Sequence, residues 1–250
     1  MIKNINKKKY NIKEIQNLIN KDLLKVNQII EKNIDKKIPL IKNLSNHIFS
    51  AGGKRIRPII TLLTANLCKY KGNKHIALAA CVELIHTATL LHDDVIDESK
   101  LRRGIPTAHD VFGNKSSILV GDFLFSLAFE LMVKNSSKSI LQILSKTSST
   151  IAQGEIMQLS TIKNYDTSED IYMKIIEAKT ASLFSAASEI SALMLKNNKK
   201  TQNSLRKYGK NIGIAFQLVD DALDYNGTSN IGKAIGDDFR EGKITLPIIL

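Results

Sequence analysis

The sequence predicts an all-α bundle, and three observations predict it. Apolar residues recur at helical spacings through most of the chain. Two segments, 59–67 and 76–91, are apolar nearly all round. No run alternates with period two between turn residues. A helix apolar on every side must be buried on most sides, so those two segments are the central helices of the bundle.

The elements follow in order. Ile12, Ile15, Ile19, Val26 and Ile30 recur at three-, four- and seven-residue spacings, which predicts one long amphipathic helix with Lys, Asn and Glu on its other face. Pro39 then interrupts the pattern. After the two central segments, residues 118–133, 139–159, 169–194 and 204–224 read as helices, separated by connectors rich in Asn, Ser, Lys and Gly. With 250 residues, 43% hydrophobic composition and no linker or repeat, the chain is expected to form a single domain over 1–250.

Composition narrows the function classes. The formal net charge is +12, which favours anionic ligands. Aromatic residues make up 6% and Trp is absent, so a stacking platform for single-stranded nucleic acid is not expected. Cys68 and Cys81 have neither CxxC spacing nor a paired His motif, which leaves a reducing cytoplasm as the expected compartment. The polar N-terminus does not read as a signal peptide. No stretch approaches the run of about 18 apolar residues of a membrane span, so no transmembrane segment is expected and a lipid would enter as a ligand.

Two acidic clusters carry the chemistry. Residues 90–97 read L-L-H-D-D-V-I-D, and 218–224 read L-V-D-D-A-L-D. In each, positions i and i+4 share a helix face about 6 Å apart along the axis, while i+1 turns away by about 100°. Asp93 with Asp97, Asp94 beside them, and the second set Asp220, Asp221 and Asp224 are therefore candidate Mg²⁺ ligands. Each set lies at a helix C-terminus, where a carboxylate is disfavoured by roughly 0.3–1 kcal/mol against the helix dipole, so positive charge is expected nearby. A lone DDxxD is more often a solvated turn; two copies at the ends of two apolar helices are not easily accidental.

Basic residues flank the acids. A-G-G-K-R-I-R-P at 51–58 sets Lys54, Arg55 and Arg57 behind two glycines, a loop suited to phosphate oxygens but not a Walker loop. Arg102 and Arg103 follow the first aspartates. His86, seven residues before Asp93, is as easily a satisfied core residue as a ligand contact. Glu83 and His86 fit the ExxH pattern of di-iron bundles, but no second ExxH exists to complete such a site.

These stretches, with A-K-T-A-S-L-F at 178–184, F-Q-L-V-D-D-A-L-D-Y and G-D-D-F-R-E-G-K-I-T-L-P, resemble the trans-isoprenyl diphosphate synthases, above all the bacterial octaprenyl diphosphate synthases of respiratory (ubiquinone) side-chain synthesis. The likeness runs from about residue 10 to the last residue, with the motifs in the family's order. It implies the isoprenoid synthase fold around a central cavity, a homodimer, and two or three Mg²⁺ ions bound with substrate. It also implies condensation of isopentenyl diphosphate with an allylic diphosphate, farnesyl or similar, to a long all-trans product. Carried over by position, Lys54, Arg57, His86 and Arg103 match isopentenyl diphosphate ligands. Arg102, Lys179, Thr180, Gln217 and Lys233 match the allylic diphosphate site. Asp93, Asp97, Asp220, Asp221 and Asp224 match metal ligands, with Asp94 in support. Asp93, Asp94, Asp97, Lys179, Thr180, Gln217 and Asp220 are thereby the expected catalytic set.

Thr89 and Ala88, four and five residues before Asp93, are small, which implies an open way for the growing tail and a product near C40. A shorter-chain synthase and an inactive or partner subunit are the alternatives. A terpene cyclase would lack G-G-K-R-I-R-P and R-R-G, and a basic helical nucleic-acid binder is the outside option. The chain stops at I-T-L-P-I-I-L, where the resemblance implies further helices, so a shortened domain is expected.

Overall fold

Every segment that the apolar period marks as helical is helical in the computed structural model, which describes residues 11–34, 37–195, 199–226 and 236–250. In chain order the helices are α1 (Ile12–Asn17), α2 (Asn20–Asn33), α3 (Pro39–Ser50), α4 (Ile56–Leu67), α5 (Lys74–Ile96), α6 (Ala108–Phe112), α7 (Asn114–Asn135), α8 (Lys138–Ser160), α9 (Glu169–Ile176), α10 (Ser182–Met194), α11 (Lys199–Asn226), α12 (Asp237–Arg240) and α13 (Leu246–Ile249).

Helix α5 is the axis. Leu78, Val82, Leu84, Ile85, Ala88 and Leu91 have no exposed surface, because α2, α4, α7 and α10 enclose it. Burying a side chain of this size contributes about 1.5–3 kcal/mol, so this one helix anchors the core. Helix α10 forms the second buried layer, against α4, α8 and α11.

Four local details depart from the periodic reading. The first predicted helix is two: a capping box at Asn11 and Glu14 starts α1, and the chain turns at Leu18 and Ile19 before α2. Ile19 stays buried, so the apolar stripe survives the break. Pro39 opens α3 rather than merely interrupting, at the first position, where its missing N–H has no partner to lose. Leu101–Arg102 and Ile105–Pro106 pair as a two-rung antiparallel hairpin (β1 and β2). Its turn residues Arg103 and Gly104 have φ of 54° and 81°, the left-handed pair a two-residue hairpin turn demands. Strands of two residues are too short for alternation to reveal. Finally, the helix expected over 169–194 is interrupted by a π-helical turn at Glu177–Ala181, between α9 and α10.

Among the described residues two helices, α5 and α7, are long and apolar enough to cross a membrane by length and composition, contrary to the reading that no stretch comes near. Single polar residues had broken the strict apolar run without lowering the average. For α5, 78% of the apolar window is buried inside the bundle, as a core helix requires; for α7 it is 44%.

Candidate active site

The packing of α4, α5, α8, α9, the π-turn, α10, α11 and the segment after α12 leaves a cavity of about 580 Å³. Its lining includes Asp93 and Asp97 from the end of α5 and Asp220, Asp221 and Asp224 from the end of α11. Both acidic clusters therefore face one space. Lys54, Arg57, His86, Arg102 and Arg103 line the same space, as do Lys179, Thr180 and Gln217. Lys233 lies outside the described residues.

The basic wall is built from the loop before α4 and the hairpin. Arg55, at φ 50°, turns the chain into α4 and pairs with the buried Glu83 of α5. Arg103 donates to the Gly52 carbonyl. Arg57 lies 4.5 Å over the ring of Phe184 and 3.1 Å from His86 Nε2. Burial lowers the Arg57 pKa to about 10. Burial first, then Arg57 and the other arginines, hold His86 well below the ordinary imidazole range. A neutral His86 beside Arg57 keeps a ring nitrogen free to accept from it. Arg57 Nε is buried without a hydrogen-bond partner, a donor left for an anion.

The acidic walls are more differentiated than sequence geometry foresaw. Asp94, 1% exposed, turns away from the cavity and receives Arg102 through Nε at 2.8 Å and Nη2 at 2.5 Å. Burial disfavours the Arg102 cation, but the hydrogen bonds and charge of Asp94 outweigh it and raise the pKa. Asp94 thus fixes Arg102 instead of facing a metal. Asp221 lines the cavity, but both of its oxygens are engaged, by Tyr172 Oη and by Gln217 Nε2 at 2.7 Å. Besides Asp221, the two clusters contribute Asp93, Asp97, Asp220 and Asp224 to the cavity lining, where Glu83, Glu155 and Asp238 also stand.

Lysines stand against the first pair. Lys179 Nζ is 3.9 Å from Asp93, 2.7 Å from Glu155 and 2.9 Å from Gln158 Oε1. Lys243 Nζ is 2.7 Å from Asp97 and 2.7 Å from Glu241. Burial pushes the Asp93 carboxyl up; Lys179 opposes this and Asp97 adds to it. Burial, then Asp93, raises Glu155 to about 7. Burial first, then the mutual repulsion of Asp93, Asp97 and Glu155, disfavours these carboxylate anions, so a further cation between the walls would be stabilised. Among the described residues no three His, Cys, Asp or Glu side chains form a ready-made cage. Four carboxylates on two walls, with room between, instead fit Mg²⁺, which takes one or two carboxylates with water and phosphate oxygens.

Thr89 lines the cavity and donates to the His86 carbonyl at 2.8 Å. Ala88 does not: it is fully buried in the core, on the side of α5 away from the cavity. The expectation that both small residues open the passage is corrected to Thr89 alone. Ile151, Ile176, Leu183 and Phe216 supply apolar lining beside it.

Sequence reasoning missed Glu155, Gln158, Tyr172 and Lys243. Glu155 and Gln158, one turn apart on α8, look like a solvated helix face by spacing. Lys243 sits in the stretch G-D-D-F-R-E-G-K, and a lysine near aspartates is ordinary surface composition. Only the fold brings it to Asp97, 146 residues away.

Comparison with known proteins agrees with this geometry. Residues 38–250 match the family profile described as polyprenyl synthetase. The octaprenyl diphosphate synthase of Escherichia coli (strain K12) is 45% identical over 240 residues, 96% of this chain and 74% of that one. That of Haemophilus influenzae is 46% identical over 239 residues, 95% and 73% of the two chains. The crystal structure of a polyprenyl synthase from Caulobacter crescentus, complexed with calcium and isoprenyl diphosphate, superposes with a TM-score of 0.93 at 47% identity, covering 96% of this chain and 73% of that one. The family profile spans the basic loop and both acidic clusters, and the chain belongs to the polyprenyl synthetase family.

Proposed function

We propose that this chain is a Mg²⁺-dependent prenyltransferase that condenses an allylic diphosphate, farnesyl or similar, with isopentenyl diphosphate, repeatedly, to a long all-trans polyprenyl diphosphate. Octaprenyl, for a respiratory quinone side chain, is the product its relatives favour. The carrying observation is the juxtaposition, on one cavity, of two carboxylate walls and a separate basic wall. Two diphosphates need two anion sites, and a cyclase would need one.

When bound, Mg²⁺ would supply charge neutralisation for a leaving diphosphate, and Asp93, Asp97, Asp220 and Asp224 would hold it. Lys179 and Lys243 are placed to add hydrogen bonds to that diphosphate, and Arg102, braced by Asp94, to hold it in one orientation. Lys54, Arg57, His86 and Arg103 bind the second diphosphate across the cavity. The oxygens of Thr180 and Gln217 line the space between and offer negative dipole ends to an allylic cation. Apolar lining excludes water, which would otherwise capture that cation. The alkene of isopentenyl diphosphate attacks the allylic cation and the departed diphosphate takes the proton then lost, so neither a protein nucleophile nor a protein base is required.

We place the chain in the cytoplasm, as one domain acting as a homodimer without nucleic acid or a membrane span. The outward face of α7, with Leu119 and Val133 exposed, supports the dimer. Incubation with radiolabelled isopentenyl diphosphate, a C15 primer and Mg²⁺, followed by chain-length analysis, tests the reading. Long labelled products abolished by chelator support it; absence of any chain growth refutes it.

A further inference from the structure

Tyr172 belongs to no motif, yet it is 2% exposed and its hydroxyl donates to Asp221 Oδ2. Asp221 accepts from Gln217 Nε2 through its other oxygen, at 2.7 Å. Gln217 Oε1 in turn accepts from Thr180 Oγ1 at 2.7 Å. Tyr172 and Thr180 lie on either side of the α9/π-turn junction, and Gln217 and Asp221 lie one turn apart on α11. The four groups thus close a ladder that ties the π-turn to α11.

The ladder fixes a direction. A side-chain amide can present its oxygen or its NH₂ at nearly equal steric cost, and its hydrogen-bond partners decide which. The Asp221 carboxylate accepts only, so Gln217 must turn its NH₂ toward Asp221 and its oxygen toward Thr180. Thr180 then spends its hydrogen on Gln217 and keeps its lone pairs for the cavity. With the amide reversed, NH₂ would face Thr180 and the Thr180 hydrogen would be freed toward the cavity. A cation forming there would meet a positive dipole end.

We infer that Tyr172 and Asp221 are positioning residues that set the orientation of the Gln217 amide and, through it, the Thr180 hydroxyl, so that oxygen faces the allylic cation. This rests on the prenyl-transfer reading above and deepens it. It assigns Asp221 to hydrogen-bond anchoring, in distinction from Asp220 and Asp224.

The test is Tyr172→Phe, which removes one oxygen and no packing. In steady-state condensation the expected result is a kcat lower by about tenfold, with KM for both diphosphates and the Mg²⁺ half-saturation within about twofold of the parent. A loss that appears instead in Mg²⁺ half-saturation overturns the inference, because Tyr172 would then be supporting a metal ligand; so does an unchanged kcat. The second readout needs no activity. In the metal-free protein with ¹⁵N-labelled glutamine side chains, the Gln217 NH₂ signal, assigned by its loss in Gln217→Leu, is expected shifted and slow to exchange, and in Tyr172→Phe it should move and exchange faster. An identical signal in parent and variant overturns the ladder. Should the parent prove inactive, the functional reading fails while the amide signal still judges the ladder. Should Tyr172→Phe not fold, the parent's signal judges it: a Gln217 NH₂ exchanging as fast as free glutamine overturns it, and protection sustains it.

Discussion

Glu155 shows how one buried carboxylate can register in the behaviour of the whole protein. Its ordinary pKa is 4.5, and burial followed by the charge of Asp93 raises it to about 7 in the folded state. A folded-state pKa above the unfolded value means the native protein holds the proton more tightly. The resulting stability is fully present below pH 4.5 and is lost as pH rises to about 7, beyond which both states are ionised. Glu155→Gln should flatten that part of the curve of unfolding free energy against pH, measured by urea denaturation of the metal-free protein; parallel curves for parent and variant would show that Glu155 does not titrate in this way. At Thr89 the consequence is product length. Thr89 lines the cavity and Ala88 does not, so Thr89→Phe should shorten the product at near-native stability. Ala88→Phe should instead destabilise the protein by about 1–3 kcal/mol, since it overpacks a core position with no free surface. Chain-length analysis beside thermal unfolding separates the two.

At the scale of elements, the π-turn at Glu177–Ala181 is the feature on which the site depends most. A π-turn inserts a residue into the helical ladder and re-aims the side chains it carries. Here it carries Lys179 and Thr180, both on the cavity. Helix α8 packs directly on it at Gly154, where an added Cβ would come 2.7 Å from the Lys179 backbone nitrogen and 2.9 Å from Ala178 Cβ. Gly154→Ala must push the two elements apart, so we expect a loss of about 1–3 kcal/mol of stability together with a drop in kcat from a displaced Lys179. Equal kcat in parent and variant would mean the π-turn does not set the placement of Lys179. Sequence pattern reached helix α9–α10 but not its interruption, because the apolar period runs through the π-turn almost undisturbed: Thr180, Ala181, Leu183 and Phe184 are all buried. The acidic clusters were legible because i, i+4 spacing and a helix end fix their geometry locally. Glu155, Tyr172 and Lys243 were not, because their partners are 24, 49 and 146 residues away, and only tertiary packing chooses which side chains meet.

For the molecule as a whole, the distribution of apolar surface separates two helices that look alike in sequence. Helix α5 is enclosed by its own chain; α7 turns one face to α5 and leaves the other uncovered. Leu119 and Val133 on that outer face are 64% and 67% exposed, fourteen residues apart and so nearly aligned after four turns, with Ile118 beside the first. Each exposed apolar square ångström costs about 25 cal/mol relative to burial, and a two-fold partner presenting the same face would cover both stripes at once. The other face of α7 packs against α5, the helix that delivers Asp93 and Asp97, so pairing through α7 would also brace the first acidic wall from behind. Leu119→Asp with Val133→Asp should therefore convert a dimer to monomers in sedimentation velocity, at unchanged helix content by circular dichroism. Because α5 loses its brace, the monomer should also melt at lower temperature than the dimer. A parent protein that sediments as a monomer at micromolar concentration, or a double variant that stays dimeric, would remove α7 as the interface and leave its apolar face to be covered by something else.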